Sequence, residues 1–388
     1  MNRATDPLLT PQFLLLLVTS AIVGLSFSTY FLLPKYLAVE LGADPATIGG
    51  VSAITLVASV ICMPIGGVLI DRHGRRPFVI FGALLFAAGS AGFLLIDRVG
   101  PLLWVLRTIQ GLAWPLYYLG LSTLATDLAP PRRIGEAIGL FGAVMISTNA
   151  LAPALAEWGA QVFGWHAVFG TSVAAAAVAA VMARWLHEPA RPAPQADAAT
   201  MWTLVARPGL RRILLVTALI GWTFSAMFTF YQPWALASGY KEVSAYLVAF
   251  SSCAMVVRIA LGRVADRFGR LRVAKLVLVL YCLAPLSLVW LDTFGLTFTG
   301  ALIGIAHGIF FPSLNAVAIE FSAEHERGKT MGAYNTAFNL GFAGGSYLLG
   351  VIAMATSFPA IFMLAAASAA LACVLLATLA PPARARGV

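Results

Sequence analysis

The sequence predicts an all-α integral membrane protein with twelve transmembrane helices. Hydrophobic residues make up 60% of the 388 residues and charged residues only 11%, whereas a soluble domain carries about 25% charged residues. A helix that spans a bilayer needs about 20 apolar residues, and apolar runs of that length recur along the whole chain. These two observations exclude a water-covered fold and leave no room for a sizeable soluble domain.

The apolar runs place six spans in each half of the chain. The first six cover residues 11–35, 47–70, 77–96, 101–126, 134–160 and 164–186. The second six cover residues 211–235, 242–264, 273–291, 295–319, 329–354 and 357–379. The segment 187–210 is rich in Pro, Ala, Arg and Gln. We therefore expect an N-terminal six-helix bundle at 1–186, a cytoplasmic linker at 187–210 and a C-terminal six-helix bundle at 211–388.

The distribution of basic residues predicts which side of the membrane each loop occupies. If the N-terminus is cytoplasmic, twenty of the 25 Lys and Arg residues fall on the cytoplasmic side and three fall outside. This bias predicts that both termini are cytoplasmic. The net charge of +9 then reflects topology and contact with anionic lipids, so no nucleic-acid partner is expected.

One motif occurs in both halves of the chain. Gly67-Val-Leu-Ile-Asp71-Arg72-His-Gly74-Arg75-Arg76 is repeated as Gly262-Arg-Val-Ala-Asp266-Arg267-Phe-Gly269-Arg270-Leu-Arg272, at an offset of 195 residues. An even number of spans separates the copies, so the halves are expected to be parallel repeats. The signature resembles that of the major facilitator superfamily, and the likeness covers essentially the whole chain. It implies two six-helix bundles around a central cavity and transport by alternating access.

Two further segments resemble motifs of the proton-driven exporters in that superfamily. Arg107-x-x-Gln110-Gly111 lies in the fourth span, and residues 142–156 of the fifth span are a degenerate glycine-proline motif with alanines at the usual glycines. The resemblance implies a twelve-span permease for drugs or small metabolites, sugar-efflux types included. It also implies exchange of solute for protons, no cofactor and a monomer.

The repeated motif further implies a cytoplasmic latch that closes the inner face in the outward-facing state. Asp71 and Asp266 are expected to accept backbone N–H groups at a neighbouring helix start, in a contact between the two halves. Arg75, Arg76 and Arg270 are able to pair with Asp127 and Glu320 at the ends of the fourth and tenth spans. The alternative is that these charges only fix the topology. The latch candidates are Gly67, Asp71, Arg72, Gly74, Arg75, Arg76, Asp127, Gly262, Asp266, Arg267, Gly269, Arg270 and Glu320.

Three ionisable residues within the spans are candidates for proton coupling. Arg107 lies in an apolar run, where a charge is costly and usually faces a cavity or a partner; the alternative is a structural arginine bonded to backbone carbonyls, Gln110 or Glu157. His307 titrates in the working pH range, or is a hydrogen-bonded core histidine. Glu157 is a proton site or a structural carboxylate. Residues 7–39 contain no Asp or Glu, which argues against a dedicated pump for cationic drugs.

Polar and aromatic side chains near the middle of the spans are candidates for the wall of a solute cavity. Any one of them could instead join two helices. As a set with one fixed positive charge they predict a neutral or anionic, amphipathic small-molecule substrate. The candidates are Tyr30, Arg107, Gln110, Tyr117, Tyr118, Tyr231, Gln232, His307, Asn315, Asn335 and Asn339.

The sequence does not indicate an enzyme or a metal site. It has no His-Glu-x-x-His motif, no phosphate-binding loop and no Gly-x-Ser-x-Gly elbow, and its four cysteines occur singly in apolar runs, which is typical of small buried hydrophobes. Proton symport or facilitated uptake of a metabolite, and the flipping of a lipid-type substrate, stay open as alternatives to efflux.

Overall fold

The structure is a computed structural model that describes residues 7–188, 204–323 and 326–379, without the side chains of 261–266. The described residues form helices and contain no strand, so the predicted all-α membrane fold is confirmed. Ten of the described helices are long and apolar enough to cross a membrane, and residues 244–260 form a shorter apolar helix. Their bounds agree with the predicted spans to within about one helical turn.

The helices are numbered in chain order. The first seven are α1 (Pro11–Thr29), α2 (Leu33–Val39), α3 (Pro45–His73), α4 (Arg76–Gly92), α5 (Pro101–Asp127), α6 (Ile134–Phe163) and α7 (Trp165–Met182). The others are α8 (Pro208–Thr229), α9 (Tyr231–Ala237), α10 (Ser244–Phe268), α11 (Arg270–Val289), α12 (Leu291–Glu320), α13 (Arg327–Ala355) and α14 (Phe358–Ala377). The short helices α2 and α9 extend the spans of α1 and α8.

The chain divides into two compact units, and α3 contributes to both. The first unit comprises residues 1–36 and 58–194, and the second comprises 37–57 and 195–388. The sequence-based division placed all of 1–186 in one bundle. Residues 37–57 group with the second unit because the start of α3 packs closely on α13, where a Cβ added at Gly350 would lie 2.6 Å from the Pro45 carbonyl oxygen.

Each unit has the same internal packing pattern. In the first unit α1 packs on α6 and α7, and α4 packs on α5 and α7; in the second α8 packs on α13 and α14, and α11 packs on α12 and α14. Ser26 Oγ donates to the Ser172 carbonyl at 2.8 Å, and Thr223 Oγ1 donates to the Ala365 carbonyl at 2.9 Å. The repeat in the sequence is therefore also a repeat of helix contacts.

Three glycines on one face of α12 allow it to approach α10 closely. A Cβ at Gly300 would lie 2.3 Å from the Tyr246 carbonyl oxygen, and one at Gly304 would lie 2.4 Å from the Phe250 carbonyl oxygen. Gly308 follows at the same four-residue spacing, so the three share one helix face. Backbones can approach this closely only where the side chains are absent.

We expect Gly304→Ala to destabilise the protein because the new methyl group would separate α12 from α10. Overpacking of this kind costs about 1–3 kcal/mol, which lowers the melting temperature in detergent. The matched control is Gly142→Ala in α6, where nothing lies within 4 Å of the added Cβ and alanine gains up to about 1 kcal/mol of helix propensity. Equal losses in the two variants would contradict the packing described.

Candidate functional site

Arg107 is a half-buried cation on α5. Its Nη1 donates to Gln110 Oε1 at 2.7 Å, one turn along the same helix face. Its Cζ lies 5.9 Å from the centre of the Tyr30 ring, within the range of a cation–π contact. Its Nε is buried without a hydrogen-bond partner, and no carboxylate among the described residues forms an ion pair with it.

A chain of hydrogen bonds leads away from Arg107 through the first unit. Gln110 Nε2 donates to Ser90 Oγ at 3.3 Å, Ser172 Oγ lies 3.4 Å from the same oxygen, and the hydroxyls of Ser172 and Ser26 are 2.9 Å apart. The chain joins α5, α4, α7 and α1. It ends at a cavity of about 330 Å³ between α1, α6 and α7. The arrangement fixes Gln110, which in turn orients the guanidinium of Arg107.

Tyr30 supports Arg107 from the end of α1. Its side chain is 5% exposed, and its hydroxyl is buried without a partner. The ring packs edge-on against Phe93 at 5.1 Å and stacks on Phe169 at 5.8 Å. The ring thus contributes an apolar wall beside the cation.

Gln110-Gly111 and His307-Gly308 lie 197 residues apart, close to the 195-residue offset of the repeated motif, so His307 is the counterpart of Gln110 in the second unit. Its Nδ1 shares a hydrogen bond of 2.6 Å with the Tyr281 hydroxyl, and Gln110 likewise bonds to the preceding long helix of its unit. Phenylalanine rings surround the imidazole at centroid distances of 4.6–6.0 Å: Phe224, Phe311, Phe338 and Phe250.

Glu157 lies in a buried ion pair near the end of α6. Its Oε1 is 2.5 Å from Lys35 Nζ, and the two side chains are 4% and 12% exposed. Of the two side chains expected as partners of Arg107, Gln110 lies beside it, whereas Glu157 pairs with Lys35. Lys35 was not a site candidate, so this pairing was not predicted.

The remaining wall candidates fall into two groups by exposure. Tyr117, Tyr231 and Gln232 have no exposed surface, so they shape the bundles through packing. Four others are half-buried: Tyr118, Asn315, Asn335 and Asn339. In that second group, the Asn315 Oδ1 is buried without a partner, and the Asn335 Nδ2 donates to the Met331 carbonyl at 2.9 Å.

Arg75 is the centre of a charged cluster at one end of the first unit. Its Nε lies 3.2 Å from Asp127 Oδ2 at the end of α5, and its backbone N–H donates to Glu188 Oε1 at 2.7 Å. Gly74 makes the turn with a φ of 103°, which favours glycine. A carboxylate at the start of α4 is stabilised by the helix dipole. At the start of α4 this carboxylate is Glu188, which was not among the sequence candidates; the expected contact of Asp71 with a helix start stays a prediction.

A second cluster occupies the equivalent turn of the second unit. Arg270 Nη1 lies 3.3 Å from Glu320 Oε1, and Gly269 has a φ of 90°. Close to the start of α13, Glu326 receives two hydrogen bonds of 2.7 Å from Arg207. These hydrogen bonds raise the pKa of the Arg207 guanidinium above its ordinary value. The Arg207 to Glu326 pair was missed because each residue lies just outside a span, where sequence alone does not select partners.

Most of the other latch candidates lie on the surface of the described part of the chain. Asp71, Arg72, Arg76 and Arg267 are exposed. Arg76 Nη1 lies 3.4 Å from the Arg184 carbonyl oxygen, and a Cβ at Gly67 would meet nothing within 4 Å. The side chains of Gly262 and Asp266 lie outside the described residues. No group of three or more His, Cys, Asp or Glu that could hold a metal ion occurs among the residues that were described.

Residues 15–300 and 242–388 match the family model of the Major Facilitator Superfamily. The chain is 25% identical over 347 residues to the "Multi-drug resistance efflux pump PmrA homolog" of Lactococcus lactis, covering 85% of each chain. It is 35% identical over 123 residues to "Multidrug resistance protein 3" of Bacillus subtilis, covering 32% of this chain and only 24% of that relative. Its fold is similar to that of the nucleoside transporter NupG, with a TM-score of 0.80, 14% identity, and coverage of 95% of this chain and 99% of that one.

Proposed function

Because this chain belongs to the Major Facilitator Superfamily, we propose that it exports a small neutral or anionic organic solute across the bacterial inner membrane in exchange for protons. In transporters built from repeats, alternating access is largely a rocking of one repeat against the other around a fixed site. The matching helix contacts of the two units support that arrangement. The two six-helix bundles, 1–186 and 211–388, are our proposal for the moving bodies, with both termini in the cytoplasm.

The proposed substrate class follows from one observation: the positive charge of Arg107 has a neutral partner and no paired carboxylate among the described residues. Its guanidinium donates to one neutral side chain, Gln110 Oε1, at 2.7 Å. No carboxylate of the described residues forms an ion pair with it. A fixed cation in an apolar span attracts a negative or strongly dipolar group. A cationic solute would meet repulsion there, because the interaction of two charges is strengthened where water is excluded.

Arg107 and His307 are the proposed coupling residues, for different reasons. Arg107 changes the energy of a proton or an anion nearby through its fixed charge. His307 is joined through Nδ1 to the Tyr281 hydroxyl, and an imidazole is the side chain whose protonation responds most readily to a change in its surroundings. Glu157 is the weakest of the three candidates since its carboxylate is already paired with Lys35.

The proposed direction of transport follows from the names of the relatives with similar sequences. The relatives from Bacillus subtilis and Lactococcus lactis are called multidrug resistance and efflux proteins, which favours export. Proton symport into the cell is the second candidate: the absence of Asp and Glu between residues 7 and 39 and the alanines in the glycine-proline motif of the fifth span depart from the exporter pattern. The Arg75 and Arg270 clusters would form the proposed latch for either direction.

Vesicles with an imposed pH gradient test the proposal. The purified protein is reconstituted and given aromatic or sugar-derived acids that first stabilise it in a thermal-shift screen. For an exchanger, a vesicle interior more acidic than the medium should drive solute accumulation, and collapse of the gradient should stop it. Accumulation only with the opposite gradient would establish symport, and equilibration that ignores the gradient would overturn proton coupling.

A further inference from the structure

Cys282 on α11 and Cys373 on α14 lie side by side although they are 91 positions apart in the chain. Their sulfur atoms are 3.7 Å from each other, and both side chains are half-buried. The other two cysteines have no such neighbour among the described residues; Cys62, for example, donates to the Leu112 carbonyl at 3.3 Å. The sequence predicts all four as separate small hydrophobes, and the folded chain brings two of them together.

The helices that carry the pair are held in register by other contacts. α11 packs on α14 within the second unit. Lys275 Nζ donates to the carbonyls of Ala377 and Leu379, each at 3.0 Å, which joins the start of α11 to the end of α14. The two packed helices therefore hold the two cysteines opposite each other.

We propose that Cys282 and Cys373 form an oxidisable dithiol that hydroperoxides close into a disulfide within the second unit. One thiol, as thiolate, attacks a peroxide oxygen and becomes a sulfenic acid while water is released. The second thiol attacks that sulfur, the S–S bond forms, and the sulfenic oxygen leaves as a second water. Two thiols and one hydrogen peroxide thus give one disulfide and two waters.

The geometry allows this closure with little movement. A disulfide has an S–S distance of about 2.0 Å, so the sulfurs must approach by about 1.7 Å. Rotation about the two Cα–Cβ bonds supplies motion of this size. Since both helices belong to one unit, the disulfide would join parts that already move together. Cys282 also follows Tyr281, the hydrogen-bond partner of His307, so the bond would fix the helix that positions this imidazole.

Peptide mapping tests the proposal on the full-length protein in detergent. After treatment with hydrogen peroxide, free thiols are alkylated in denaturant and the digest is analysed by mass spectrometry. We expect loss of two alkylatable thiols and one intramolecular cross-link between the peptides of Cys282 and Cys373, reversed by dithiothreitol. Cys62→Ser and Cys253→Ser should leave the cross-link intact, whereas Cys282→Ser and Cys373→Ser should each abolish it.

Two further measurements distinguish the disulfide within the second unit from other oxidation products. Closing a loop of this length should raise the melting temperature by roughly 5–15 °C, only in variants that keep both cysteines. Transport by the oxidised protein should stay within about twofold of the reduced protein, since a rocking bundle moves as one body. Cross-links to Cys62 or Cys253, covalent dimers, sulfinic acid without a cross-link, an unchanged melting temperature or loss of transport would each overturn the proposal.

Discussion

Replacing Arg107 by alanine is expected to reduce transport of an anionic solute by about 30-fold or more, because removal of one partner of a desolvated charge pair costs about 2–5 kcal/mol. A cation with the same carbon skeleton should be transported no worse than by the unmodified protein, since the variant removes a repulsion. The comparison uses an aromatic carboxylate and the matching aromatic amine in the same vesicles. Loss of cation transport alone would contradict the assignment.

Two control variants distinguish the charge of Arg107 from its structural contacts. Arg107→Lys keeps the charge but loses the planar donor geometry, so anion transport should fall between the alanine variant and the unmodified protein. Arg98→Ala removes an arginine that is exposed in the turn before α5, and transport should not change. A lysine variant as inactive as the alanine variant, with an unchanged melting temperature, would show that geometry rather than charge is required.

The spans could be predicted because the apolar composition of each one is set by the lipid around it. A helix in a bilayer satisfies its backbone hydrogen bonds internally, so an apolar run of about 20 residues is enough to define it. Helix α5 is 27 residues long but is not among the ten described helices that are long and apolar enough to cross a membrane. It carries Arg107 and Gln110, so the segment that fits the apolar pattern less well is also the one that holds the candidate site.

Two of the pairings within the site could not be predicted, because they depend on how each helix is rotated against its neighbours. Tyr281 was one aromatic residue in an apolar run, and only the packing of α11 on α12 brings its hydroxyl to His307. Glu188 follows the sixth span and meets Arg75 only in the folded chain. The pairing of Arg75 with Asp127 and that of Arg270 with Glu320 could be predicted, because the sequence places each arginine and its carboxylate at the same ends of their spans.

Variants of the Lys35–Glu157 ion pair test whether Glu157 has a structural role or a role in proton coupling. Both side chains are largely buried, with their charged atoms 2.5 Å apart. Breaking a buried pair by removing one partner leaves an uncompensated charge and costs about 3–5 kcal/mol. We therefore expect Glu157→Gln, which leaves the Lys35 ammonium without its carboxylate partner, to lower the melting temperature more than any single surface substitution.

The double variant Lys35→Met/Glu157→Leu separates the two roles. Replacing both members of a buried pair by apolar side chains is often neutral or stabilising, so this variant should recover most of the stability lost in Glu157→Gln. If the pair is structural, the double variant should transport solute per folded molecule with an unchanged dependence on the pH gradient. If Glu157 carries the coupled proton, stability would return while the response to the gradient would not, because no titratable group would remain at that position.

A melting temperature as low as that of Glu157→Gln would contradict the energetic argument itself, since it would mean that the ion pair cannot be replaced by packing.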